Sequence, residues 1–255
     1  MRYAGPQDRR ELIELRGFNE ASRTRNPGAN MSMSAKQFKK KTYELLAVIG
    51  KALSSPIRLE LLDILSQGPR TVESLSDEVG QSIANTSQHL QVLRAARLIE
   101  AERNGVFITY SIADQQVLVL ASSLRRIGEL RLSEIQEMTR AFLTERDLLE
   151  KVDCKTVVRR IRRGEVTLLD VRPAGEYEAG HIPNALSVPL EELKKHILKL
   201  PRNREIVAYC RGPLCMMSIA AVKLLRKSGF RAIRWEESVG DWIARGLPLR
   251  TGKAA

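Results

Sequence analysis

One stretch decides how the second half of the chain folds: Ile206-Val-Ala-Tyr-Cys210-Arg-Gly-Pro-Leu-Cys215-Met-Met-Ser-Ile-Ala220. It predicts a short apolar strand, a tight loop that opens on Cys210, and a helix with apolar residues at helical spacing. The backbone N–H groups of such a loop and the positive end of the helix dipole favour anions, and Arg211 adds a charge beside the thiol. We therefore expect a lowered pKa for Cys210, which makes this thiol a nucleophile.

Strands and helices alternate on both sides of this stretch. Residues 166–171, 205–209 and 231–235 are apolar runs that predict strands, whereas residues 190–200 and 217–227 have helical spacing. Such alternation over residues 152–252 is typical of an α/β domain with a doubly wound parallel sheet.

The motifs of this second domain resemble those of a rhodanese domain. They are Leu169-Asp170-Val171-Arg172, Glu176-Tyr177, Gly180-His181-Ile182-Pro183-Asn184-Ala185, the cysteine loop, and Gly246-Leu247-Pro248. The resemblance implies that the Cys210 thiolate attacks the outer sulfur of a donor such as thiosulfate and becomes a persulfide. A thiol acceptor then takes the sulfur, and this covalent chemistry requires neither a metal nor an organic cofactor.

The resemblance also implies roles for the neighbours of Cys210. The loop amides cradle the anionic donor, while Asp170 and Arg172 support the neighbouring loop and His181 holds a turn rather than acting as a base. The cradle residues are Arg211, Gly212, Pro213, Leu214, Cys215 and Met216.

Two loop residues refine the expected chemistry. Related phosphatases and arsenate reductases carry an arginine six residues after the cysteine, where this chain has Met216, so a phosphoryl or arsenate group lacks its main clamp. Cys215 either packs at the start of the helix or acts as a resolving thiol that closes a disulfide with Cys210. Cys154 is expected to be an incidental thiol.

Composition limits the partners of the chain. Its 255 residues are enough for two domains, and its net charge of +12 favours a polyanionic partner, either nucleic acid or an acidic membrane surface. No apolar run approaches the roughly 18 residues of a membrane span, and no secretory signal is visible, so we expect a cytoplasmic protein without a membrane partner. Three cysteines give no disulfide framework.

The first half of the chain predicts helices followed by a hairpin. Helices are expected at 36–53, from Pro56 to Gly68-Pro69, at 71–80 and at 82–96, with Ser55 and Thr71 as N-caps. Ile83, Leu90 and Leu93 of the fourth helix are expected to face inward. Asn104-Gly105 between two β-rich runs is a strong hairpin signal. Residues 35–115 therefore predict a mainly α winged helix-turn-helix whose wing is a β-hairpin.

This half resembles the ArsR/SmtB family of bacterial repressors. The similarity lies in the runs 51–65 and 84–99, and Arg97 departs from the glycine that is usual at the end of the recognition helix. The expected partner is double-stranded DNA, because polar side chains on a recognition helix can contact base edges and phosphates. A helix-turn-helix that binds only protein remains the alternative. The candidate DNA-binding residues are Asn85, Thr86, Ser87, Gln88, His89 and Gln91 on the fourth helix, and Arg103 at the hairpin tip.

A helical region over residues 116–151 connects the two domains. Its pattern shows no clear stop, and its apolar residues form a near-heptad stripe. The family resemblance implies that the stripe makes a homodimer, which would match a pseudo-palindromic DNA site. The alternative is packing of the stripe within one chain. Residues 1–34 are expected to be a disordered extension.

Three functions fit these observations. The first is a transcriptional repressor that senses or transfers sulfane sulfur through Cys210, with the 114–150 region carrying the signal to the DNA-binding half. The second is a thiosulfate sulfurtransferase whose DNA-binding half only controls location or its own expression. The third is an arsenite- or soft-metal-responsive repressor that uses Cys154, Cys210 and Cys215. Since residues 1–153 contain no cysteine, we expect no metal site in the DNA-binding half.

Overall fold

The computed structural model describes residues 33–142 and 153–253. The predicted disordered extension, apart from Met33 and Ser34, lies outside the described residues, and so does the end of the connecting region from residue 143 onward.

The first half folds as a winged helix-turn-helix, as predicted. Its helices are α1 (Ala35–Leu53), α2 (Pro56–Leu65), α3 (Val72–Glu78) and α4 (Ile83–Ala95). Its strands are β1 (Arg70–Thr71), β2 (Ile99–Asn104) and β3 (Phe107–Ile112), which form an antiparallel sheet in the order β1-β3-β2. Asn104 pairs with Phe107, so the wing turns at the predicted position.

Hydroxyl N-caps begin two helices of this half, and leucines form much of its core. The Thr71 hydroxyl accepts a hydrogen bond from the Ser74 N–H (3.4 Å), and the Ser82 hydroxyl accepts one from the Asn85 N–H (3.2 Å). The core is built from fully buried leucines of α2, α3 and α4. The inward placement of Ile83 was predicted wrongly: its side chain is 51% exposed, because it stands on the first turn of α4, ahead of the buried face.

The connecting region is broken into two helices, which the sequence pattern did not predict. Helix α5 (Gln115–Arg131) ends at Leu132, whose extended backbone (φ −105°, ψ 102°) separates it from α6 (Ser133–Phe142). Asp114 caps the start of α5 by accepting a hydrogen bond from the Gln116 N–H.

The second half is a doubly wound α/β domain, and the predicted fold class is confirmed. Its parallel sheet has the order β5-β4-β6-β7. The strands are β4 (Val166–Asp170), β5 (Leu186–Ser187), β6 (Glu205–Tyr209) and β7 (Ala232–Arg234). The helices are α7 (Cys154–Arg162), α8 (Ala174–Ala179), α9 (Leu193–His196), α10 (Met217–Lys227) and α11 (Val239–Ala244).

Both faces of this sheet are covered. Along β6, Ile206 and Ala208 join the core on one face with α10, while Val207 and Tyr209 join the core on the other face with α7 and α11. The predicted helix over 190–200 is shorter than expected: α9 is followed by a 3₁₀ turn (Ile197–Lys199). In the described ranges, no helix is long and apolar enough to cross a membrane.

Candidate functional site

Cys210 lies directly after β6, at the carboxyl edge of the parallel sheet. Its side chain is 1% exposed, and its Sγ lies 3.1 Å from the Ser218 hydroxyl on α10. The carbonyl oxygens of Gly212 and Cys215 are 3.9 Å and 3.7 Å from the same sulfur. The loop therefore wraps around the thiol, and Gly212 is required at its bend because φ is +120° and a Cβ there would lie 3.3 Å from Ser238 Cβ.

The loop holds two interacting thiols. Cys215 is partly exposed, and its side chain is hydrogen-bonded to that of Cys210. This hydrogen bond lowers the pKa of Cys215 to about 6, helped by hydrogen bonds from the backbone N–H groups of Met217 and Arg211. The neighbouring thiol and burial both raise the pKa of Cys210. The expected lowering of the Cys210 pKa was therefore wrong, and Cys215 is the thiol of the loop whose pKa is lowered.

Cys215 also occupies the place that was predicted for a donor anion. Hydrogen bonds to the backbones of Arg211, in the loop, and of Met217, at the start of α10, lower the pKa of its thiol, and its own N–H donates to the Gly212 carbonyl (3.1 Å). The side chains of Leu214 and Met216 point outward, at 73% and 42% exposed. Residues 211–216 therefore form a loop whose backbone contacts the two thiols.

Arg234 supports the loop from β7, and sequence reasoning missed it. Its side chain is 3% exposed and donates to the carbonyl of Pro213 (2.6 Å) and to the Ser218 hydroxyl (3.2 Å). An arginine within an otherwise apolar strand was the available signal, since a buried guanidinium needs several acceptors.

Arg211 turns away from the thiols and joins the two halves of the chain. It forms a two-pronged ion pair with Glu176 of α8 and contacts Glu78 of α3, with 2.8 Å between Nη1 and Oε2. Arg70 of β1 pairs with the same two carboxylates, at 2.9 Å from Glu176 and 3.6 Å from Glu78. Two arginines and two glutamates therefore link the cysteine loop to the helix-turn-helix, and we call this set the four-charge cluster.

The predicted supporting pair Asp170 and Arg172 lies beneath this cluster. Both side chains are fully buried and are joined by an ion pair of 2.6 Å, and the Tyr209 hydroxyl donates to Asp170 at 2.6 Å. Arg172 also donates to the Gly180 carbonyl and to the Gln67 side chain, which belongs to the winged-helix half. These contacts match the supporting role that was implied for the pair, and neither residue reaches Cys210 in them.

His181 is held in a turn. Its Nδ1 lies 2.8 Å from the Tyr177 carbonyl oxygen, and its ring stacks on that of Tyr177 at 3.6 Å between centroids. Its backbone pairs with Arg250. This environment agrees with a structural rather than a proton-transferring role.

Helix α5 packs against α11 of the second domain. The Ser122 hydroxyl donates to Asp241 (2.7 Å), and Arg125 forms an ion pair with the same carboxylate. Burial acts to raise the pKa of Asp241, but Arg125 and hydrogen bonds from Ser122 and Ser238 hold it below its usual value. One side of α5 therefore packs within the chain, which was the alternative interpretation of this region. Large apolar side chains still lie exposed in α5 and α6: Leu120, Leu124, Ile127, Leu130 and Met138.

The predicted DNA-binding residues differ in their exposure to solvent. Gln88, Gln91 and Arg103 are exposed, and Asn85, Ser87 and His89 are partly exposed. Thr86 was assigned wrongly, because it is fully buried behind the helix and its hydroxyl has no hydrogen-bond partner among the described residues. Arg103 donates from Nε to the Gly105 carbonyl (3.1 Å), which orients it at the wing tip.

Comparison with known proteins agrees with this arrangement. A family model described as "Bacterial regulatory protein, arsR family" matches residues 55–101, and a rhodanese-like domain model matches residues 153–244. The chain is 36% identical over 208 residues to the HTH-type transcriptional regulator Rv0324 of Mycobacterium tuberculosis; the match covers 81% of this chain and 91% of that protein. The chain belongs to the arsR family of bacterial regulatory proteins.

Two further relatives resemble one half each of this arsR-family regulator. A protein named Sulfurtransferase from Allochromatium vinosum is 28% identical over 104 residues, which is 40% of this chain and 95% of that protein. The solved homodimeric winged helix-turn-helix DNA-binding domain (fragment 1-100) Mb0332 from Mycobacterium bovis is 32% identical. That match covers 41% of this chain and 94% of the fragment, with a TM-score of 0.37.

The three cysteines of the arsR-family regulator are not brought together. Cys154 begins α7 and lies in the core on the opposite face of the sheet from Cys210. Burial raises its pKa to about 11, so it remains a neutral thiol. Within residues 33–142 and 153–253, no three metal-binding side chains form a group, so the predicted soft-metal set of three thiolates does not assemble.

Proposed function

We propose that this arsR-family regulator is a cytoplasmic, homodimeric repressor that accepts sulfane sulfur on Cys210 and lowers its DNA affinity when it does so. The observation that carries the proposal is the contact between Arg211, which follows Cys210, and Glu78 in the helix-turn-helix (2.8 Å). Because one side chain touches both halves, a change at the cysteine loop alters a contact of the DNA-binding half.

The chemical step is an attack of the Cys210 thiolate on the outer sulfur of thiosulfate. A bond forms between Cys210 Sγ and that sulfur, the sulfur–sulfur bond of thiosulfate breaks, and sulfite leaves with the electron pair. Transfer of the Cys210 proton to Cys215 frees the nucleophile, since the two thiols are hydrogen-bonded. The likeness of this half to a protein named Sulfurtransferase supports the same chemistry.

Burial of Cys210 supports a link between sulfur uptake and DNA binding. The thiol is 1% exposed, so thiosulfate reaches it only after the loop opens. The four-charge cluster holds this loop against α3. Opening the loop therefore weakens the contact with Glu78, and the free energy of that contact links the two sites reciprocally.

We assign DNA binding to the exposed and partly exposed polar residues of α4 and to the wing. Asn85, Ser87, Gln88, His89 and Gln91 present donors and acceptors to the major groove, and Arg103 reaches a phosphate or the minor groove. A homodimer places two such helices on the two halves of a pseudo-palindromic site.

The test measures DNA affinity and protein mass on the same samples. Duplexes selected by the protein from a random pool serve as the operator, and fluorescence anisotropy measures binding with and without thiosulfate. We expect the affinity of the sulfur-loaded wild type to fall by about tenfold, within the usual range of allosteric coupling. Cys210→Ser should bind DNA equally well under both conditions. Unchanged affinity of a wild-type sample whose mass shows the added sulfur would refute the sensing role.

A second candidate is an enzyme whose DNA-binding half only controls location or its own expression. The match over 95% of the Sulfurtransferase from Allochromatium vinosum favours it. In this case Cys210→Ser abolishes turnover of thiosulfate with cyanide, while regulation of a reporter gene by the variant remains the same as that of the wild type.

A further inference from the structure

A second reactive sulfur lies beside the proposed persulfide site. Cys215 is five residues after Cys210 in the same loop, Cys210 Sγ lies 3.7 Å from the Cys215 carbonyl oxygen, and Cys215 is the more exposed of the two. Hydrogen bonding to Cys210 and to the backbones of Met217 and Arg211 lowers the pKa of Cys215, which favours its thiolate form.

The surroundings of Cys215 suit attack on Cys210 rather than passive packing. A side chain that only packed at the start of α10 would be enclosed in the core, whereas Cys215 is partly exposed. Arg234 bonds to the neighbouring Pro213 carbonyl, so the loop that carries Cys215 is held next to Cys210. Such positioning raises the effective concentration of the attacking thiol far above that of a thiol in solution.

We propose that Cys215 attacks the Cys210 persulfide and closes a Cys210–Cys215 disulfide, with release of hydrosulfide. The Cys215 sulfur forms a bond to Cys210 Sγ, the bond from Cys210 Sγ to the outer sulfur breaks, and the electron pair leaves with that sulfur. The two thiols lose two electrons in total and the sulfane sulfur gains them, so the donor itself is the oxidant. This inference rests on the proposed persulfide at Cys210.

The disulfide gives the regulator a state that outlasts the sulfur donor. A persulfide is lost to any thiol that reaches it, whereas a protein disulfide persists until a reductant opens it. Closure also removes the negative sulfur that the Arg211 and Met217 N–H groups bind, and the backbone of Arg211 carries the side chain that contacts Glu78. Disulfide closure would therefore change the position of the Arg211 side chain relative to Glu78 of the helix-turn-helix.

The experiment uses the full chain under anaerobic conditions with thiosulfate and no added thiol. Wild type, Cys215→Ser, Cys215→Ala and the control Cys154→Ser are compared by intact mass, hydrosulfide assay and non-reducing peptide mapping. We expect the wild type and Cys154→Ser to release about one hydrosulfide per chain, to lose the mass of two hydrogens and to yield a Cys210–Cys215 peptide. Both Cys215 variants should keep the mass of one added sulfur atom until dithiothreitol is supplied.

The failures of the two proposals are distinguishable. If the wild type keeps the added sulfur as stably as the Cys215 variants, the disulfide step is refuted and the persulfide at Cys210 stands. If neither the wild type nor any variant gains sulfur or releases hydrosulfide, the proposed function itself is refuted.

Discussion

Cys215, not Cys210, is the thiol of the loop whose pKa is lowered. The hydrogen bond from Cys210 is the largest contribution to its lowered pKa, and the charge of Arg211 contributes less. At the level of single residues, the site is therefore a pair of interacting thiols, and the more exposed one has the lowered pKa. This division has a direct consequence for reactivity as a function of pH.

We expect iodoacetamide to label Cys215 at a rate that is constant above about pH 7 and falls about tenfold per pH unit below about pH 6. The reason is that a thiol whose pKa is lowered from 9.0 to about 6 remains a thiolate down to that pH and is protonated as the pH falls further. Peptide mapping of the labelled Cys154→Ser protein measures the rate. In Cys210→Ala the hydrogen-bonding thiol is lost, so the midpoint should move toward the usual range. A wild-type midpoint near pH 9 would contradict the assigned charge.

At the level of elements, the contact between α3 and the cysteine loop is the main structural finding. Glu78 ends α3 and is shared between Arg211 and Arg70, while Glu176 of α8 accepts from the same two arginines. Gly68 comes close to α8 here: a Cβ on it would lie 3.0 Å from Ala179 Cβ. The winged helix therefore packs directly against the part of the rhodanese-like domain that flanks the thiols.

The variant Glu78→Gln should weaken the effect of sulfur loading on DNA affinity without abolishing sulfur uptake from thiosulfate. Loss of the carboxylate charge weakens the link to Arg211, so the roughly tenfold effect of sulfur loading on DNA affinity should shrink to about twofold or less. Thiosulfate uptake, followed by intact mass, should persist, because Glu176 still holds Arg211. The matched control is Glu73→Gln, an exposed carboxylate on the same helix. If sulfur loading changes DNA affinity equally in both variants, Glu78 is not the residue that connects the cysteine loop to the DNA-binding half.

At the level of the whole molecule, part of the connecting helix remains uncovered. The described residues from 47 onward belong to a single compact unit, in which α5 packs on α11 through Ser122 and Arg125. Leu130 near the end of α5 is nevertheless 72% exposed, and Ile127 is 59% exposed. Uncovered side chains of this size are typical of an interface, and they support the proposed homodimer.

Leu130→Lys should weaken the homodimer, because a charged side chain in an apolar interface must lose its hydration. Sedimentation velocity should show a dissociation constant raised by about tenfold or more, and operator affinity should fall with it, since a dimer binds two half-sites. The control is Leu198→Lys, which changes a leucine of the rhodanese-like domain that is even more exposed (84%) than Leu130. If both variants have the same assembly state and operator affinity as the wild type, the dimer contact lies elsewhere.

The sequence by itself determined the elements and the family resemblance of both halves. Strand β6, helix α10, the wing turn at Asn104-Gly105 and the cap of α3 at Thr71 all lie where local signals predicted them. These signals depend on residues a few positions apart: apolar spacing, a hydroxyl that accepts from an N–H three residues on, or a turn that needs a glycine. The order of the motifs was enough to predict a winged helix followed by a rhodanese-like domain.

The tertiary structure decided which side chains meet. Arg211 and Glu78 are 133 residues apart in the chain, and no local pattern predicts their pairing. The burial of Thr86, the support from Arg234 and the packing of α5 on α11 likewise depend on which surfaces face each other after folding. The lowered pKa of Cys215 has the same origin, because it follows from the neighbours that the fold places around the sulfur. The sequence alone shows only that two thiols lie in one loop.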